Sequence, residues 1–217
     1  MKTNKSGWHK EILTSASREV LNDLFRTIPL SQFYLAGRTG LALLLGHRHS
    51  RDFDFFSNQM FNEDALIQKM QGLNNLTIIG KSEQTIHINL RELKVSFLGY
   101  TYPLLYHTQQ YQPVAGMSID VADERDIACM KISAIGSRGT KRDFVDLYEV
   151  ARQYTLPELF VLFQQKFSLT PYNNVYILKS LTYFADAELE PMPDMLIHLS
   201  WDTVKKFFVS EVPKLLF

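Results

Sequence analysis

Apolar residues recur at Ile12, Leu13, Ala16, Val20, Leu21, Leu24, Phe25 and Ile28. This is the three- and four-residue spacing of one helix face, so the pattern predicts an amphipathic helix over 9–28, ended by Pro29. Phe33 to Ala36 is a short continuous apolar run, the mark of a buried strand, and Gly37 breaks it. Thr39 to Leu45 then reads as a buried helix stopped by Gly46. After a polar loop over 47–51, Asp52 to Phe56 reads as the next strand. Period two turns Phe53 and Phe55 to a core and Asp52 and Asp54 together to the other face.

A helix from Asn62 to Leu73 follows, with Asn62 as its cap and Glu63 and Asp64 in the first turn. Strands are predicted at Leu76–Gly80, Thr85–Leu90 and Lys94–Tyr100, the last two joined through Arg91-Glu92-Leu93 as a hairpin. Tyr102 to Gly116 is rich in Pro, Gln and Tyr and marks a boundary, beyond which the strand signal fades. Helices are predicted at Asp123–Ile135, closed by Gly136, and at Lys141–Gln153, capped by Thr140. Three more follow at Pro157–Phe167, Pro171–Phe184 and Trp201–Phe217, two of them opened by a proline. The expectation is an α+β fold with a mixed sheet flanked by helices, organised as a core over 1–116 and a mainly helical C-terminal region over 117–217.

Composition narrows the function classes. The chain of 217 residues is 46% hydrophobic, enough for a sizeable core. Its 23 basic and 23 acidic residues cancel, which argues against a globally basic nucleic-acid binder and leaves room only for a local patch. The single cysteine, Cys129, cannot form an intramolecular disulfide and reads as a small core residue in a reducing compartment. The longest apolar run, Leu41 to Leu45, is far short of the roughly 20 residues that span a bilayer. The first ten residues lack a signal-peptide core. The expectation is a soluble, cytoplasmic protein without a membrane partner.

Three constellations could carry chemistry. Asp52 and Asp54, held side by side, repel unless a cation lies between them, which suits Mg²⁺. Just upstream, Gly37-Arg38-Thr39-Gly40 opens a helix where backbone N–H groups can meet a phosphate, although no Walker-type P-loop is present. The competing reading is a tight turn and a solvated pair of acids. The second constellation is His47-Arg48-His49-Ser50-Arg51. It lacks the soft ligands of a zinc site, and Arg48 or Arg51 suits phosphate oxygens; a plain solvated basic loop remains the alternative. The third is Lys131 among Ile127, Ala128, Ile132 and Ile135, with Asp143 and Asp146 three residues apart on the next helix. Buried there, the lysine needs an anionic partner, so an ion pair between helices and a lysine aimed at the metal site both stand open.

Taken in order, Leu-Ala-Gly-Arg-Thr, Leu-Gly-His-Arg-x-Ser-x-Asp-Phe-Asp-Phe-Phe, Asp-Ile-Ala-x-Met-Lys and Lys-Arg-Asp-Phe-x-Asp-Leu-Tyr span about Phe33 to Tyr148. This series resembles the AbiEii/AbiGii-toxin type of nucleotidyltransferase, in the DNA polymerase β-like nucleotidyltransferase superfamily. The resemblance implies a polymerase-β-like core and Mg²⁺-dependent transfer of a nucleoside monophosphate from an NTP to an RNA (tRNA-like) or protein hydroxyl. It also implies a role as the toxin of a type IV toxin–antitoxin system, with a cognate antitoxin as partner. It implies Asp52 and Asp54 as catalytic metal ligands, Lys131 and Asp143 as further catalytic groups, and Gly37, Arg38, Thr39, Arg48 and Ser50 toward the nucleotide. Two positions depart from the pattern: Arg38 follows Gly37 where Gly or Ser is usual, and Ser96 falls where a third carboxylate is usual. These departures motivate the alternative of a binding protein that keeps the fold with its catalysis impaired.

Overall fold

The computed structural model describes residues 7–114, 116–170 and 172–216. The expected helix start at Pro171 lies outside the described residues. The chain forms two compact units, one from residues up to Gly99 together with Gln109–Val121, the other from Tyr100–Thr108 together with Ala122 onward.

The first unit is built on a seven-stranded mixed sheet. The apolar stretch over 9–28 divides into a 3-10 turn, Lys10–Ile12, and α1, Ser15–Thr27. The division falls at Thr14, whose hydroxyl oxygen accepts from Ser17 N at 3.1 Å and caps the helix. β1 (Tyr34–Ala36) leads into α2 (Gly37–Leu45), which ends at Gly46 in the left-handed conformation. β2 (Phe53–Ser57) is followed by α3 (Glu63–Met70), where Asn62 accepts from Ala65 N as its sequence position predicts. β3 (Leu76–Ser82), β4 (Thr85–Leu90) and β5 (Leu93–Gly99) form a meander. Arg91 and Glu92 both have positive φ, the type I′ signature whose twist suits a two-residue hairpin, so Leu93 belongs to the strand.

The boundary stretch over 102–116 and the fading of strand signal beyond it are corrected by the structure. Gln109–Val114 (β6) and Met117–Val121 (β7) form a hairpin turned at Gly116. The strand was hidden because β6 carries three glutamines and Pro113, and a proline is confined to an edge strand. It is the edge strand, its glutamines being Gln109, Gln110 and Gln112, and its register shifts between Tyr111 and Val114, where the proline sits. The sheet order is β3-β4-β5-β2-β1-β7-β6. β2 runs parallel to β5 and β1 parallel to β7, while the other neighbours are antiparallel. Phe53, Phe55 and Phe97 are fully buried, with the rings of Phe55 and Phe97 stacked at 5.3 Å. Their burial fixes which face of β2 carries Asp54.

The second unit is helical: α4 (Glu124–Ser137), α5 (Lys141–Ala151), α6 (Leu156–Lys166), α7 (Asn174–Ser180), α8 (Ala185–Glu188) and α9 (Trp201–Glu211), with a 3-10 turn over Val212–Leu216. Gly136 does not close α4. A Cβ there would lie 2.6 Å from Ile177 Cδ1, so the glycine admits α7, and the chain turns instead at Gly139 with φ +51°. The segment over 100–108 is held in this unit by a buried charge. Lys166 Nζ donates to Pro103 O at 2.6 Å and pairs with Asp126 Oδ1 at 2.7 Å, and Asp126 also accepts from Leu105 N and Tyr106 N. Lys166 and Asp126 have no exposed side-chain surface.

Removing one member of such a pair strands the other charge in a dry site. Lys166→Met is therefore expected to cost about 3–5 kcal/mol, read as a lower urea midpoint. A loss below about 1 kcal/mol would show that Asp126 is adequately satisfied by the two amides alone.

Candidate active site

The first unit presents its chemistry where β1 turns into α2 beside β2. Gly37 has φ +60°, a conformation that disfavours a Cβ, and the position a Cβ would take is 2.9 Å from Asp54 Oδ2. The glycine is thus required twice, for its backbone angle and for the space the carboxylate occupies. Ala36 stands directly across from Asp54 in the β1–β2 register. The start of α2, with its unpaired N–H groups, therefore lies against an acid.

The neighbouring predicted residues fall into two groups. Arg38 reaches Asp52, its Nη2 2.6 Å from Oδ2, and both side chains keep about a quarter of their surface exposed. Thr39 and Ser50 turn inward. The Thr39 hydroxyl donates to Asp52 O and accepts from Ser50 Oγ at 2.8 Å, with Thr39 fully buried. Their hydroxyls tie the helix start to the approach of β2. Arg48 is only 2% exposed and its Nη1 donates to His49 O at 3.1 Å, and His47 is equally buried. The loop over 47–51 is packed and not a solvated basic loop. Arg51 is its exposed arginine. Spacing could not reveal this, because buried and solvated arginines look alike in a polar run.

Asp52 and Asp54 are suited to a hard cation by the chemistry of their oxygens. Among the described residues no group of three or more His, Cys, Asp or Glu side chains could hold a metal ion. Mg²⁺ commonly takes one or two carboxylates and completes its shell with substrate phosphates and water. The pair fits a metal that arrives with a triphosphate, and at Asp52 the Arg38 guanidinium already stands as the counter-cation.

Ser96 is directly opposite Asp54 in the parallel β2–β5 register and is buried. Across the next pair, His87 on β4 is its partner, and His87 Nδ1 lies 3.0 Å from Ser96 Oγ. Burial, aided by the Lys94 charge, pushes the His87 imidazole below its ordinary pKa, with Asp54 opposing in part. Sequence reading passed over His87. The usable signal was the alternation Ile86-His87-Ile88, which sets the histidine opposite two core residues once the register with β5 is known.

In the second unit, Lys131 is buried with Nζ 2.9 Å from Asp143 Oδ1 and 2.7 Å from Asp146 Oδ2. Arg138 and the Thr140 hydroxyl also reach Asp143, at 3.1 and 2.7 Å. Burial works to raise the Asp143 carboxyl, but Lys131 and Arg138 outweigh it and hold it at about 2. The anion this lysine requires is supplied by α5, and Asp146 shares that work equally with Asp143.

No protein-family model matches the chain. The uncharacterized protein aq_aa25 of Aquifex aeolicus is 35% identical over 208 residues, covering 94% of this chain and 98% of that protein. Among solved structures, MenT4, a nucleotidyltransferase toxin from Mycobacterium tuberculosis, is similar with a TM-score of 0.58 at 14% identity, over 91% of this chain and 83% of its own. JHP933 from Helicobacter pylori is similar with a TM-score of 0.51 at 17% identity, over 94% and 95%. The shared fold is the α+β nucleotidyltransferase fold with its mixed sheet and flanking helices.

Gly37→Ala is expected to cost about 1–2 kcal/mol from backbone strain alone and to push Asp54 away. Chemical denaturation measures the first effect and Mg²⁺ titration the second; an unchanged midpoint would contradict the backbone requirement on Gly37, and an unchanged Mg²⁺ affinity the space requirement. A second expectation concerns acid. The Asp143 carboxyl sits lower when folded than its usual 3.8. Its contribution, about 2 kcal/mol, is therefore fully present above pH 4 and is lost as pH falls toward 2. Asp143→Asn is expected to flatten that part of the stability–pH curve.

Proposed function

We propose that this chain, which belongs to one family with the Aquifex aeolicus protein aq_aa25, is a Mg²⁺-dependent nucleotidyltransferase. It would move a nucleoside monophosphate from an NTP to a hydroxyl of RNA, such as a tRNA end, or of a protein. The observation that carries this reading is the packing of the Asp54 carboxylate on Gly37 at the opening of α2, with Asp52 just before β2 and paired with Arg38 of the same helix. An acid next to the opening of a helix supports this reading, because a carboxylate there would suit a cation and the first backbone N–H groups would suit phosphate oxygens.

In this reading Asp52 and Asp54 hold the ion. Bound there with the triphosphate, Mg²⁺ would neutralise phosphoryl charge as the acceptor oxygen attacks the α-phosphorus and pyrophosphate leaves. The first amides of α2 orient the phosphates. Arg38, paired with Asp52 and partly exposed, would offer a planar pair of donors to the departing pyrophosphate. Lys131 and Asp143 keep the supporting role that the ordered motifs imply. The AbiEii-type assignment, the toxin role and an antitoxin partner belong to the same proposal. They rest on those motifs and on the fold shared with a toxin, MenT4.

A second reading, a protein that binds NTP without turnover, is favoured by one observation: the residue opposite Asp54 is a serine, which cannot serve as a carboxylate base. The two readings separate in one assay with α-labelled NTPs against total tRNA and purified acceptor proteins. On the first reading wild type transfers label, and Asp54→Ala loses it to background with its urea midpoint held within about 0.5 kcal/mol. Transfer that survives Asp54→Ala would overturn the assignment, and tight Mg·NTP binding with no transfer would favour the second reading.

A further inference from the structure

We propose that His87 is the base that takes the proton from the attacking hydroxyl, held in place by Ser96 beside Asp54. This rests on the nucleotidyltransferase reading and names the residue that reading lacks.

The argument is one of register. Asp54, Ser96 and His87 stand side by side on three adjacent strands, β2, β5 and β4, so their side chains share one face of the sheet. Adjacent strands are about 4.8 Å apart, which puts the Ser96 hydroxyl one step from the carboxylate. Ser96 cannot itself collect a proton near neutral pH, because an alcohol is far too weak a base. Its hydroxyl instead draws the imidazole over it, with 3.0 Å between Oγ and Nδ1. The ring thereby stands above the place that a third carboxylate would fill. With Nδ1–H donating to Ser96, the Nε2 lone pair is the ring's remaining acceptor.

Space on the far side agrees. The residue opposite His87 on β3 is Gly80, and a Cβ built there would meet nothing within 4 Å. His87 is therefore flanked by a buried serine on one strand and by open room on the other, and it is itself half-buried. Burial and Lys94 both favour the neutral imidazole, the form that can accept a proton.

The step balances without a co-reactant. The acceptor oxygen forms its bond to the α-phosphorus as its proton passes to His87 Nε2. The bond from the α-phosphorus to the bridging oxygen breaks, and pyrophosphate leaves with the electron pair. His87 then gives its proton to solvent.

Two experiments test this. In single-turnover assays, His87→Ala and His87→Gln are expected to slow transfer by about 100-fold or more. The Mg·NTP dissociation constant, measured by calorimetry, is expected to stay within about twofold. Adding Ser96→Asp to His87→Ala returns a carboxylate to the row and is expected to recover at least about tenfold of the lost rate. Independently of activity, ¹⁵N spectra at neutral pH are expected to show His87 with Nδ1 protonated and Nε2 bare. Transfer retained within about threefold in His87→Ala, the opposite tautomer, or a loss of rate matched by loss of Mg·NTP binding would each overturn the role of His87 and leave the parent reading intact. Absence of transfer by wild type would overturn both.

Discussion

A carboxylate oxygen of Asp54 rests against the backbone of Gly37, and most of what is distinctive in the first unit follows from that contact. It needs a residue without a side chain, in a left-handed conformation, at the first turn of α2. It needs β1 and β2 paired so that Ala36 and Asp54 are opposite. It also needs the other face of β2 anchored, which Phe53 and Phe55 do by complete burial. Were β2 to slip by one residue against its neighbours, the phenylalanines would face water and Asp54 the core. The aromatic face thus determines the position of the acids, and the price of the site is a glycine that no other residue can replace.

Much of this was legible in the sequence because the signals are local. The alternation in Asp-Phe-Asp-Phe, the glycine between strand and helix, the Asn62 cap and the helical spacing near the N-terminus each encode their own structure within a few residues. What escaped needed information from elsewhere in the chain. The β6–β7 hairpin has weak strand chemistry and exists because β1 offers β7 an edge to pair with. His87 acquires meaning only from the β4–β5 register. The burial of Arg48 and the inward turn of Thr39 and Ser50 depend on packing, and a polar run of residues carries no sign of it. Gly136 reads as a helix stop in isolation, yet it marks the close approach of α7.

A chain with zero net charge can still be strongly organised by charge. In the second unit Lys166 and Lys131 are buried and each is matched to acids within hydrogen-bond reach: Lys166 to Asp126, and Lys131 to Asp143 and Asp146. Replacing such pairs with apolar residues of equal size would often be neutral for stability, so their worth lies in direction. An ion pair fixes which helix faces meet and at what height along them, a selectivity that apolar packing among Leu, Ile and Phe supplies less sharply. Arg38 and Asp52 differ, since both keep access to water. Such a pair is weakly held and can be exchanged for another cation.

The chain passes from the first unit to the second at Gly99, returns at Gln109, and leaves again after Val121. During synthesis this order matters. The ribosome releases β1, β2 and the β3–β5 meander well before β7, yet β7 is the parallel neighbour that covers the open side of β1. Until residue 121 has emerged, β1 is an exposed strand edge beside the acidic turn, able to pair with any extended segment at hand. The sheet is completed late, by a hairpin drawn from the far side of a segment that ends up in the other unit. A nascent chain stalled before that point would hold Asp54 of β2 and the glycine turn, with nothing yet to close the sheet at their side.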